Sequence, residues 1–149
     1  MKPMKLDSAF EPCQPVEGEE VFANGVIRWN ISKMQEYIDA HPQEIEFKQM
    51  DIKLITNEYT NINLNHVPTV NLSKPIILVE FNPRIQDHLI DGRHRLTRAR
   101  ELGVTTLPAY KLTLDQHIPF LTSQTGYEAY VRYWNEKARN WYGDERKLR

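Results

Sequence analysis

The chain has 149 residues, with 19 Lys and Arg against 20 Asp and Glu and a formal net charge of −1, which sets aside a polybasic nucleic-acid wrapper or membrane binder on totals alone. Hydrophobic residues make up 40% and charged residues 26%, the balance of a globular domain with one core. The single cysteine, Cys13, allows no intrachain disulfide; no early apolar run follows the starting Met-Lys, and none approaches the roughly 20 residues of a bilayer span, so the expectation is a cytoplasmic protein without a signal peptide.

Residues 1–20 hold three prolines and several acids and read as an N-terminal arm, leaving residues 21–149 as a single domain. Ile31 to His41 reads as a helix: Ser32 and Gln35 fit a capping box, Met34, Tyr37 and Ile38 form an apolar stripe, and Pro42 ends it. The alternation of Met50, Ile52 and Leu54 predicts a strand over Gln49 to Ile55. Asn57 to Asn71, rich in Asn and Thr and holding Pro68, reads as a long surface loop.

Pro75 then opens "PIILVEF", a buried strand; "NPRIQ" is a turn with Pro83 at its second position; "DHLID" is a short strand that pairs back as a hairpin. From Gly92 the apolar period changes. Leu96, Ala99 and Leu102 fall on one helical side, and Gly103 closes the helix. "TTLPAYKL" is the next strand, its Pro108 suited to an edge or end position. Gln124 to Tyr142 reads as a long helix in which Tyr127, Val131, Trp134, Ala138 and Trp141 repeat at helical spacing; the stripe suits core packing, with a homo-oligomer contact or base stacking as the alternatives. "GDERKLR" reads as a charged tail. The order of elements describes a small α+β domain with a mixed sheet and a long C-terminal helix.

The strand, Asp-Gly turn and helix of "LIDGRHRLTRARELG" concentrate Arg93, His94, Arg95, Arg98 and Arg100 at one place. The first turn of a helix favours acids, so cations there oppose the helix dipole unless an anion offsets them. A bound anion would gain from backbone N–H groups, the positive helix end and the guanidinium forks together. Gly92, lacking Cβ, lets a phosphate approach the backbone. Gly92 and Arg95 are therefore the leading phosphate-contact candidates. His94 can donate to phosphate or act as a base near neutral pH, Asp91 can cap the helix or hold a metal, and Arg93, Arg98 and, from the Pro-Arg turn, Arg84 are further candidates. A solvated basic helix remains the alternative. His66 and His88 make no metal-ligand spacing with His94, and no Walker-type sequence is present. Mg²⁺ could arrive with a nucleotide.

Gly92, Arg93, His94 and Arg95, followed by "TTLPAYKL" and preceded by "PIILVEF" and "HLIDG", resemble the phosphate-binding strand-turn-helix of the ParB/sulfiredoxin superfamily, with "FKQMDIKLI" similar to its first strand. The resemblance covers roughly Phe47 to Leu112. It implies a ParB/sulfiredoxin-like fold and a phosphate or nucleotide ligand, a di- or triphosphate, with nucleotide hydrolysis or phosphotransfer as the activities found among relatives. Those relatives also include DNA-binding proteins and nucleases, so DNA held on the arginine helix is the alternative partner, and a protein-interaction module a further one. The residue before His94 is Arg93, where sulfiredoxins carry cysteine, which argues against their chemistry. Only a short stretch follows Leu112, too little for a partition protein's helix-turn-helix domain. The Asp91–Arg95 turn matches the free-serine kinases of the superfamily, whose catalytic Glu after the first strand would correspond to Glu58.

Overall fold

A computed structural model describes residues 3–55 and 69–147, with side chains through residue 140. Glu58, His66 and most of the Asn57–Asn71 stretch lie outside these residues, as does the side chain of Trp141.

The fold is α+β. A hairpin of β1 (Val21–Asn24) and β2 (Ile27–Asn30) leads directly into α1 (Ile31–Ala40). The main sheet contains β3 (Glu46–Asp51), β4 (Ile76–Val79), β5 (His88–Asp91) and β6 (Thr106–Leu112), in the order β3-β6-β4-β5. Its β4–β6 pair is parallel and the other two are antiparallel. Helix α2 (Arg93–Leu102) makes the crossover from β5 to β6. A short α3 (Leu114–His117) and the long α4 (Gln124–Lys147) complete the chain.

Strand β4 is buried on both faces, which is why it reads as an unbroken apolar run rather than an alternation. Ile76 and Leu78 pack with Leu89, Leu96, Ala99 and Leu107 beneath α2. Ile77 and Val79 pack on the opposite face with Trp29, Met34, Tyr130 and Trp134 beneath α1, α4 and the hairpin. Full burial of each of these large side chains contributes about 1.5–3 kcal/mol. Between α3, the hairpin and β4, His117 accepts the Trp29 Nε1–H at Nδ1 (3.1 Å) and donates from Nε2 to the Glu80 carbonyl (2.8 Å).

Several sequence expectations are corrected by packing. Asn30, not Ser32, caps α1: its Oδ1 accepts the Lys33 N–H at 3.0 Å, while the Ser32 hydroxyl accepts the Glu20 N–H at 2.7 Å. The strand expected over Gln49 to Ile55 runs instead over Glu46–Asp51, where β6 supplies the pairing, and continues as a 3₁₀ turn over Ile52–Leu54. Leu102 is exposed, because only Leu96 and Ala99 of α2 reach the sheet. Pro108 lies within the interior strand β6, opposite Gln49 and one residue before β4 begins to pair at Ala109, so it meets the end-position requirement only on the β4 side. Helix α4 extends through the expected tail to Lys147. Among the described residues of the stripe, Tyr127, Val131, Trp134 and Ala138 are buried in the fold, as core packing requires.

The arm is tied to α4. Met4 N–H donates to Asn135 Oδ1 (2.6 Å), Asp7 N–H to the Tyr127 hydroxyl (2.7 Å), and the Phe10 ring stacks on Tyr127 at 4.0 Å. Its far end carries Glu20 to the start of α1, where the Glu20 carbonyl accepts the Ile31 N–H. Among the described residues, no helix is long and apolar enough to cross a membrane.

Candidate functional site

Strand β5 ends at Asp91, and Gly92 turns the chain into α2 with φ +114°, a conformation open to glycine and strained for other residues. The turn is tight on its inner side. A Cβ at Gly92 would stand 2.4 Å from Ile76 Cγ2 and 3.1 Å from the Arg95 guanidinium. Gly92 is itself the N-cap, so no side chain caps α2, and no acid occupies its first turn. Asp91, a cap candidate by sequence, ends the strand and turns its carboxylate elsewhere.

The start of α2 faces a cleft of about 240 Å³ whose walls include Asp91, Gly92, Arg93, His94 and Arg95. Lys74, from the segment before β4, and Glu20 with Val21 and Phe22, from the arm and β1, close the other side. The Lys74 ammonium and Arg93 guanidinium make no hydrogen bond or ion pair with any described residue. They stand beside a positive helix end.

Arg95 is differently engaged. Its Nη2 donates to Asp91 Oδ2 (3.1 Å) and to the Pro75 carbonyl (3.3 Å), while its Nε is buried without a hydrogen-bond partner. The same Asp91 oxygen accepts from Gln35 Nε2 of α1 (3.0 Å). Arg95 and Asp91 are both about 90% shielded, their side chains 11% and 10% exposed. A pair so enclosed holds the cleft floor in one geometry, because separating it would strand a charge.

Glu20 belongs to the cleft, though the sequence places it at the end of an arm. Burial raises its carboxyl pKa, and the neighbouring Asp91 raises it further; Lys74, Arg95 and Arg93 pull the other way. A carboxyl held above its ordinary range keeps its proton to higher pH than a free carboxylate does. No local motif marks Glu20. It reaches the cleft because its backbone is tied to the start of α1, its carbonyl accepting the Ile31 N–H and its N–H donating to the Ser32 hydroxyl.

The cleft gathers Asp91, Gly92, Arg93, His94 and Arg95, five of the site residues expected from sequence. Arg98 does not line it and pairs with Glu101 at 3.3 Å; Arg100 donates to the Ile55 carbonyl. Arg84 sits in the β4–β5 turn, its N–H donating to Asn82 Oδ1 at 2.8 Å. The basic run thus divides by helical geometry, with Arg93 and Arg95 toward the cleft and Arg98 and Arg100 away from it. Cys13 lies apart, its N–H bonded to the Leu121 carbonyl. Among the described residues no three His, Cys, Asp or Glu side chains cluster as a metal site would require.

Comparison of the chain with protein-family models, with curated proteins and with solved structures returns no match.

Proposed function

We propose that this chain is a phosphate- and nucleotide-binding domain of the ParB/sulfiredoxin kind, holding the ligand's phosphates at the start of α2. One observation carries the reading: the uncapped helix start at Gly92 opens onto a cleft where Arg93 and Lys74 form no ion pair with a described residue, Glu20 acting on them only through space. Backbone N–H groups, the helix dipole and two cations then converge on one small volume, the combination that favours a phosphate over a neutral ligand. At about 240 Å³ the cleft suits the phosphate end of a ligand, since sites enclosing a whole drug-sized molecule run from about 300 Å³ upward. Where hydrolysis or phosphate transfer follows binding, Glu20 is the carboxylate placed to take a proton from the attacking hydroxyl or water, with His94 beside it.

Thermal unfolding in the presence of pyrophosphate, ATP, ADP, CTP and GTP, each with Mg²⁺, tests the reading. A ligand at 100 times its Kd raises stability by about 2.7 kcal/mol, and the Lys74→Ala and Arg93→Ala variants lose most of that gain. No stabilisation by any of the five ligands would remove it. A DNA ligand would show instead as duplex affinity falling steeply with salt.

A further inference from the structure

Met4 and Asp7 tie the N-terminal arm to Asn135 and Tyr127 of α4, and Cys13 ties it to Leu121. Between these ties and α3 the arm leaves a cavity of about 630 Å³. None of the residues lining it lines the cleft at α2, so the two volumes are separate. Its walls are apolar: Met4 and Phe10 from the arm, Leu114 of α3, Ile118 and Pro119 from the turn that follows, and Tyr127 of α4. Met4, Phe10, Leu114 and Ile118 pack against the main core yet are only half-buried, so each keeps apolar surface uncovered. The volume lies within the roughly 300–1,000 Å³ of sites that enclose a whole small molecule.

The rim of this cavity is acidic. Asp7, Glu11 and Asp115 stand on it against one cation, Lys5. The Glu11 and Asp115 carboxylates make no hydrogen bond or ion pair with any described residue, and Asp7 commits one oxygen, Oδ1, to the Ala9 N–H at 2.8 Å. Lys5 pairs with none of the three, so the rim keeps an excess of negative charge beside an apolar hollow. The three acids are not grouped as the ligands of a metal ion would be. Apolar walls with a carboxylate rim match a molecule that is itself divided, apolar at one end and cationic at the other.

We propose that the cavity between the arm and α3 binds a small organic cation, an ammonium group carried on an aromatic or branched apolar body. The body fills the hollow against Leu114, Ile118 and the stacked Phe10–Tyr127 pair, and the ammonium reaches the Glu11 and Asp115 carboxylates on the rim. Aromatic rings favour such a guest further, because their faces attract cations. An anion of the same shape meets the carboxylates with like charge. A bare ammonium ion leaves the apolar walls unused.

Calorimetric titration of the full chain with tryptamine and phenethylamine, with indolepropionate and phenylpropionate as their carboxylate counterparts, and with ethylammonium as the head group alone tests both halves of the site. At least one aryl amine binds about tenfold or more tighter than its carboxylate counterpart and than ethylammonium. In a Glu11→Gln/Asp115→Asn variant, changed at exposed positions that bond to no described residue, the preference over the carboxylate falls to about threefold or less. In Glu20→Gln, at the other cleft, it is retained. Amide resonances of Met4 to Glu11 and of Leu114 to Ile118 shift as the amine is added, a readout that needs no variant. Absence of aryl-amine binding, equal affinity for amine and carboxylate, a preference that survives in the double variant or is lost in Glu20→Gln, or shifts confined to the start of α2 would each overturn the proposal. None of these outcomes bears on the phosphate reading, which pyrophosphate titration tests by itself.

Discussion

Arg95 Nη2 stands 3.1 Å from Asp91 Oδ2, one helical turn away, and the two side chains are almost wholly enclosed. The strongest anion-contact candidate by sequence is therefore also a structural brace, joining the end of β5 to the first turn of α2. Gln35 joins α1 to the same oxygen, so three elements meet at one carboxylate.

Asp91→Ala leaves the Arg95 guanidinium enclosed without its counter-charge, and breaking such a pair costs about 3–5 kcal/mol. The freed guanidinium turns to the anion. Urea unfolding with and without pyrophosphate is expected to show lower stability in Asp91→Ala and a larger gain from pyrophosphate than in the unmodified chain. The milder Asp91→Asn keeps the shape and gives the same ordering. Equal pyrophosphate gains in all three proteins would contradict a guanidinium that faces the ligand.

Gly92→Ala forces a side chain into a positive-φ turn and places its Cβ against Ile76. The backbone strain alone is about 1–3 kcal/mol, and the contact at 2.4 Å adds to it. Denaturant unfolding should register a loss of at least that size. By contrast, Gly18→Ala, also at positive φ but with open space around it, costs only the conformational part.

The Glu20 carboxyl titrates above its ordinary range, so the cleft becomes more negative as pH rises through that raised value. Pyrophosphate affinity should fall over the same interval. In Glu20→Gln the fall is absent and affinity above that interval is higher than in the unmodified chain. Isothermal titration at stepped pH upward from the ordinary carboxylate range decides it; an identical pH profile in both proteins would place Glu20 outside the anion's reach. Any phosphate release catalysed by the unmodified chain should drop in this variant even as binding strengthens.

His88 and His117 govern acid stability. Burial lowers both pKa values from about 6.5 to about 4. In the unfolded chain the rings charge near pH 6.5, whereas in the folded protein they charge only near pH 4. Between those values the unfolded state binds more protons, so stability falls as pH drops, by about 1.4 kcal/mol per pH unit for each ring. Chemical unfolding at stepped pH should show this slope, and His88→Phe, whose ring keeps the stack on Phe81, should remove about half of it. Glu20 opposes the trend, because a raised carboxyl pKa favours the folded state as pH falls. Asp87 does not contribute in this window: burial would raise its pKa, but Lys48 and Lys111 hold it below the ordinary carboxylate value.

By itself the sequence determined the β4–β5 hairpin, the Asp-Gly turn into α2, the Gly103 stop, strand β6 and the buried aromatic stripe of α4. Each is written in local chemistry: a β-branched run, a glycine that accepts positive φ, or a 3.6-residue apolar period. It also located one wall of the cleft, because a turn and the helix it opens are neighbours in the chain.

Tertiary structure decided the remainder. The β1–β2 hairpin has little apolar alternation of its own and is held by Trp29 buried against α4 and by the Trp29–His117 hydrogen bond, so its signal lies in its partners. Glu20 and Lys74 enter the cleft from segments 71 and 17 residues before Asp91, a closeness only chain folding creates. Which arginines line the cleft was set by the helical position of each and by its partners: Asp91 and the Pro75 carbonyl hold Arg95, Glu101 draws Arg98 away, and the Ile55 carbonyl draws Arg100. A linear motif specifies how many charges stand near a helix start; the direction each one points depends on the acceptors that long-range packing brings within about 3 Å.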